Sequence, residues 1–389
     1  MQPKKVLLVG SSFSAAPIFF ALKKYGYHVS VCGNNRADPC HQYADASYFL
    51  DYSQPDVLLE LVKSHNFDYI VPSCNDYSYM SSAYVASKLK FPGFDELSVS
   101  KTIHTKNTFR KLTAELNIPS PHYKNIYKKE NHDYSDLAFP ILVKPTDSFS
   151  GKGMMKVLSP EMLSEAVSNA QQTSRSGEVV LEEFKNGSLH SHSAWLKNGS
   201  VDIDFFVDEY CTVYPYQVNC SNHPSILSQN IKENIRTSIN HIAQTLCLTD
   251  GLIHTQFMVS GSEFWIIETM RRCPGDLYGT LIKKSTGFDY IDFYIRPFID
   301  KSLPSYQQDV QCKPYGRHTI SSAKSLVYFS FSYTFFAKQV DVIQLKGSGE
   351  FLDKAPFDKL GILFAEFNDN EAMLTSSPKF AQFIEINKL

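Results

Sequence analysis

Residues 251–276 read GLIHTQFMVSGSEFWIIETMRRCPGD. Apolar and polar residues alternate along Gly251–Val259, Ser260-Gly261-Ser262 makes a turn, and Phe264–Glu268 returns as a second strand. The alternation puts His254 and Gln256 on one face of the hairpin. Glu268 ends an apolar strand, and Arg271 and Arg272 follow it. A carboxylate in that place can hold Mg²⁺. Arginines beside it can neutralise a phosphate or grip a carboxylate through two hydrogen bonds. A buried salt bridge tying strand to loop would use the same residues, so both readings stand at this point.

Two further features lie upstream. Val179–Phe184 (VVLEEF) is an apolar strand that ends in two acids. That is odd for a core element, and fits either a hinge whose backbone meets an adenine edge or a solvated strand end. Phe139–Val143 starts another strand and breaks at Lys144-Pro145; the loop Ser148–Gly153 (SFSGKG) follows, and Met154–Leu158 returns. A Ser/Gly loop between strands can close backbone N–H groups over phosphate oxygens. The spacing is not that of the GxxxxGK[ST] phosphate loop, and an ordinary hairpin loop has the same composition.

The first hundred residues alternate strand and helix: Lys5–Gly10, Ala15–Tyr25, His28–Cys32, a helix near Asp56–Ser64, Tyr69–Pro72 and Tyr79–Leu89. This predicts βαβ units around a parallel sheet. The turn Gly10–Ser14 falls where such folds keep a ligand crevice, but it is not GxGxxG, which speaks against a dinucleotide oxidoreductase. A helix over Thr102–Leu116 ends at Asn117-Ile118-Pro119-Ser120-Pro121, a boundary. Beyond it the pattern predicts a helix over Glu161–Gln172, a hairpin about Asn198-Gly199 (Ser191–Leu196 with Val201–Val207) and a helix over Asn230–Leu246. The last seventy residues show short strands (Ser325–Phe331, Val340–Gln344, Gly361–Glu366) and little chemistry.

Composition narrows the classes. With 389 residues there is room for two or three domains, and 43% hydrophobic against 20% charged residues excludes a disordered chain. The formal net charge of −2 gives no reason to expect nucleic acid. No run of apolar residues is long enough to cross a membrane. The N-terminal apolar run Val6–Val9 is too short for a signal-peptide core. Eight scattered cysteines form no CxxC pair or zinc spacing. Reduced thiols and a cytoplasmic location are the expectation.

Together, in this order, the three features resemble the ATP-grasp superfamily over about residues 1–300. The resemblance implies α/β and α+β architecture, with a doubly wound parallel-sheet domain (1–100) ahead of a two-lobed ATP-grasp domain (101–308, lobes 101–183 and 184–308). A C-terminal segment (309–389) would complete or cover it. It implies ATP bound by Lys106, Lys144, Ser148, Ser150, Gly151 and Gly153, with Glu182, Glu183 and Phe184 as the adenine hinge. The family's ribose-binding acid has no clear match; Leu189 and His190 stand in its neighbourhood, and His190 is taken as the contact. Mg²⁺ or Mn²⁺ would be held by Gln256 and Glu268, with Arg271, Arg272 and Lys152 as catalytic charges. Ser191–Ser193 and Tyr214–Gln217 are candidates for the substrate pocket, and Cys273–Asp276 for its acceptor side.

The implied reaction is carboxylate–amine ligation. ATP phosphorylates a small, amino acid-like carboxylate, an amine attacks the acylphosphate, and ADP and phosphate leave. The implied partners are small molecules, and dimers are common in the family, so a homodimer is an expectation on that ground alone. Two departures favour a rival reading, an ATP-binding homologue without catalysis. Gln256 stands where the family has an acidic ligand, and Met270 where its E-x-N-x-R pattern has Asn.

Overall fold

The computed structural model describes residues 3–127, 136–147, 151–306 and 311–388. The predicted ligands Ser148 and Ser150 lie outside the described residues.

The N-terminal strands are β1 (Lys5–Val9), β2 (His28–Cys32), β3 (Ala46–Tyr48) and β4 (Tyr69–Pro72), parallel in the order β3-β2-β1-β4. β1 is buried from Val6 onward because helices cover both sheet faces, which explains its unbroken apolar run. Strand order reverses at β1, so a crevice opens between the ends of β1 and β4. Gly10 has φ +113°, and a Cβ there would fall 2.0 Å from Ser73 Oγ, so these two ends approach closely only because Gly10 has no side chain. The helix after β4 starts at Asp76, earlier than Tyr79, because Asn75 caps it by accepting from the Ser78 N–H at 2.9 Å.

A small antiparallel sheet follows: β5 (Tyr123–Ile126), β6 (Ile141–Pro145), β7 (Met155–Val157) and β8 (Val179–Glu183), in the order β5-β8-β6-β7. It closes its own core with the helix Leu163–Thr173. The predicted helix Thr102–Leu116 is two helices, Leu97–His104 and Lys106–Glu115, broken where Thr105 is extended.

The largest sheet carries β9 (Ser188–Lys197), β10 (Ser200–Tyr210), β11 (Cys220–His223), β12 (Gly251–Ser260), β13 (Glu263–Met270) and β14 (Tyr315–Ile320). Three more strands form the C-terminal region's own small sheet, β15 (Leu326–Tyr333) with β17 (Phe351–Leu352) and β19 (Ile384–Lys388). β16 (Gln339–Gln344) and β18 (Gly361–Glu366) join the large sheet, whose order is β13-β12-β9-β10-β11-β14-β18-β16. The C-terminal segment thus supplies three of its eight strands. Among the described residues no helix is long and apolar enough to cross a membrane.

Candidate active site

One cavity of about 920 Å³ opens where the three parts meet. Ser12–Ser14 and Cys74–Tyr77 from the N-terminal crevice form one wall, β6 and β8 with the loop after them a second, and β9, β10, β12 and β13 the floor. Such a volume suits a nucleotide and a small second molecule.

At one end Leu142, Met154, Phe184, Leu189, Met258 and Ile267 line an apolar slot. An adenine ring could be sandwiched there, beside the chain crossing from β8 to β9. Glu182 lines this end too, but its carboxylate is engaged. It is 1% exposed and accepts from Arg110 Nε at 2.9 Å and Lys144 Nζ at 2.6 Å. Burial alone would raise its pKa; the two cations outweigh that and hold the carboxyl down at about 2. Arg110 goes on to the carbonyls of Ile266 and Ile267, just before Glu268. Glu182 therefore braces the hinge, and its carboxylate is not free for a base edge. Glu183 accepts from the Ala138 N–H and pairs with Lys185.

Lys106 and Lys144 both reach the cavity. Burial, together with the neighbouring Lys144, lowers the Lys106 pKa against the pull of Glu268. A second pair of cations, Arg272 and Arg317, enters from the far side. Arg272 Nη2 lies 2.8 Å from Asp76 Oδ2, and Asp76 also meets His104 Nδ1 at 2.9 Å. Arg317 donates to Ser221 Oγ at 2.7 Å and the Asp276 carbonyl at 2.9 Å. Among the described residues the Nε of each arginine is buried without a partner, which suits an anion in the cavity. Lys359 also lines the cavity and pairs with Asp276.

Gln256 and Glu268 are directly opposed across β12 and β13, on the cavity floor. Glu209 of β10 reaches the same place, and Gln256 Nε2 donates to its Oε2 at 2.6 Å. Burial raises the Glu209 pKa, with Arg317 opposing. All the donors here are oxygens, the set a hard cation such as Mg²⁺ takes. Among the described residues no three His, Cys, Asp or Glu side chains converge as a metal cage. A metal would therefore lean on nucleotide phosphates as well.

Several predicted residues stand elsewhere. Arg271 does not line the cavity: its guanidinium is buried against Asp95 at 2.8 Å and donates to the Thr249 and Leu252 carbonyls. Both lie where the chain bends just past the end of β13, and there Arg272 turns into the cavity and Arg271 away from it. His190 also faces away, held between Asp208 and Ser188, while Leu189 faces the cavity. Lys152 and Gly153 are not among the lining residues; Lys152 lies over the Phe357 ring. Met270 does line the cavity. The sequence reading missed Asp76, Glu209, Arg317 and Lys359, which no local motif marks.

Gly151 does line the cavity, at φ +71°, where a Cβ would fall 2.6 Å from Tyr216 Cβ. Gly151→Ala is expected to raise the KM for ATP about tenfold, since left-handed strain of about 1–2 kcal/mol displaces the loop. Steady-state kinetics check this; an unchanged KM would remove the loop from the nucleotide site.

Residues 112–285 match the family model described as D-ala D-ala ligase C-terminus. Over that stretch the chain is similar to ATP-grasp ligases of the carboxylate–amine type. Formate-dependent phosphoribosylglycinamide formyltransferase of Prochlorococcus marinus (strain MIT 9515) is 24% identical over 391 residues, 98% of this chain and 97% of that protein. Among solved structures, L-amino acid ligase from Bacillus licheniformis aligns over all of both chains, with a TM-score of 0.82 at 16% identity. The biotin carboxylase domain of 2-oxoglutarate carboxylase from Hydrogenobacter thermophilus, solved with MgADP and bicarbonate, has a TM-score of 0.77 at 17% identity. It covers 99% of this chain and 91% of that one. The chain thus shares its fold with enzymes of differing named substrates.

Proposed function

We propose that this ATP-grasp ligase phosphorylates a small, amino acid-like carboxylate with the γ-phosphate of ATP and passes the acyl group to an amine, releasing ADP and phosphate. One observation carries the reading. A single cavity joins an apolar slot beside the hinge to two lysines, to acids suited to a metal, and to two arginines whose Nε donors lack partners.

Adenine enters the slot against Phe184 and Leu189, with the phosphates running toward Lys106 and Lys144. Glu268 and Gln256 would hold Mg²⁺, which when bound neutralises phosphate oxygens and orients the γ-phosphoryl group. Arg272 and Arg317 bind the substrate carboxylate in reach of that group and offset the charge of the acylphosphate. Asp76 and His104 fix the Arg272 guanidinium in place, so no reorganisation is needed as charge develops. The amine attacks the acyl carbon; its C–N bond forms as the C–O bond to phosphate breaks, and the ammonium proton leaves to solvent or phosphate.

The test is ADP and phosphate release from Mg²⁺ and ATP with pooled amino acids, small carboxylates and amines. Glu268→Gln is the better control than a lysine variant, since Lys144 also supports the buried Glu182. Substrate-stimulated ADP formation, lost in the control, is the expected result. AMP and pyrophosphate would overturn the acylphosphate route. Tight ATP binding without turnover across the pools would favour a non-catalytic binder, the reading that Gln256 and Met270 suggest.

A further inference from the structure

Seven carboxylates line the cavity. Asp76, Glu182, Glu183 and Asp276 each have an ion-pair partner. Asp147 accepts from the N–H groups of Arg175 and Ser176. Glu209 and Glu268 form no ion pair within 4 Å among the described residues, and both flank Gln256. The register explains how. Gln256 opposes Glu268 on one side and Ser191 of β9 on the other; Ser191 opposes Val207, and Glu209 is two residues along β10 on the same face. The Gln256 side chain spans the gap and donates to Glu209.

A carboxylate that is 5% exposed and has no cation within 4 Å among the described residues is costly as an anion. A divalent ion at the cavity floor would remove that cost. That this cavity takes a ligand is indicated independently by Arg317, a lining residue 3% exposed, whose buried Nε has no hydrogen-bond partner among the described residues. Gln256 also differs from an acid in one useful way: an amide can donate to a neighbouring carboxylate, whereas a second carboxylate would repel it.

We infer that the negative charge missing at Gln256 is supplied from two strands away, by Glu209, so that Glu209 and Glu268 are the carboxylates that hold the metal, with Gln256 spanning to Glu209. The inference rests on the ligase reading above. It turns the feature that argued against catalysis into an exchange of residue types between β12 and β10.

The experiment titrates the full chain with Mn²⁺ beside a non-hydrolysable ATP analogue, following free Mn²⁺ by electron paramagnetic resonance. Glu209→Gln is expected to weaken Mn²⁺ binding about tenfold or more, as loss of a charged ligand does. Affinity for the analogue without metal should stay as in the wild type. The double variant Glu209→Gln/Gln256→Glu keeps the hydrogen bond with donor and acceptor exchanged and the charge count intact. It should return Mn²⁺ affinity to within about threefold of the wild type. Should Glu209→Gln fail to fold, Glu209→Asp keeps the charge at shorter reach and should also weaken Mn²⁺. Unchanged Mn²⁺ binding in Glu209→Gln, with a raised KM for the amine, would assign Glu209 to the substrate and overturn the inference. A wild type that binds neither the analogue nor Mn²⁺ would instead overturn the ligase reading itself.

Discussion

Arg272→Ala is expected to lower kcat by about two to three orders of magnitude while leaving the fold intact, and Arg271→Ala to do the reverse. Arg272 reaches the cavity from a support of Asp76 and His104. Removing a preorganised charge of this kind costs about 3–4 kcal/mol of barrier. Asp76, left behind, still has His104 and partial access to solvent. Arg271 is buried, and its loss would leave Asp95, itself 6% exposed, unpaired beneath the β12–β13 hairpin. Breaking one side of such a pair costs about 3–5 kcal/mol of stability. Single-turnover assays and denaturant unfolding of the two variants separate the effects. A stable, inactive Arg271→Ala beside an unfolded Arg272→Ala would reverse the two roles.

The second large effect is expected at Glu182, where one carboxylate holds two buried cations. Its folded pKa of about 2 lies below the ordinary 4.5, so the folded state binds this proton more weakly than the unfolded one. The stabilisation is therefore complete above about pH 5 and fades as pH falls toward 2. The shift corresponds to on the order of 3 kcal/mol. Glu182→Gln should be markedly less stable than the wild type at pH 7, and the gap should narrow in acid. Urea unfolding at pH 7 and pH 3 measures it. A gap of the same size at both pH values would show that the charge on Glu182 is not what stabilises the fold.

The strands and their pairing were largely legible, because period-2 patterns and turn residues such as Asn198-Gly199 and Ser260-Gly261 act locally. What escaped was set by tertiary contact. The helix break at Thr105 has no Gly or Pro to announce it. It is stabilised by Thr108 Oγ1 bonding back to carbonyls of Lys101, Thr102 and Thr105, and by His104 reaching Asp76. Arg271 and Arg272 are the same residue type side by side, so only the direction of the chain leaving β13 tells the inward one from the outward. Asp208 and Glu209 posed the same choice: Asp208 turns to His190 and Ser225, Glu209 to the cavity. His190 and Leu189 likewise exchanged their expected faces. Arg317 and Lys359 come from strands and loops beyond residue 309, and nothing in their neighbourhoods pointed to a site built around β12.

The separate core of the small sheet has a mechanical consequence. Val6 and Leu8 of the N-terminal sheet share one apolar cluster with Trp195, Phe205 and Phe288, and Tyr294 Oη donates to the Pro72 carbonyl at 3.0 Å. These parts form a single chassis. The β5–β8 plate fills its interior with its own residues, Ile126 to Leu181. Its apolar filling is separate from that of the chassis, and the buried Arg110–Glu182 bond ties the two together, so losing packing in one leaves the other's core in place.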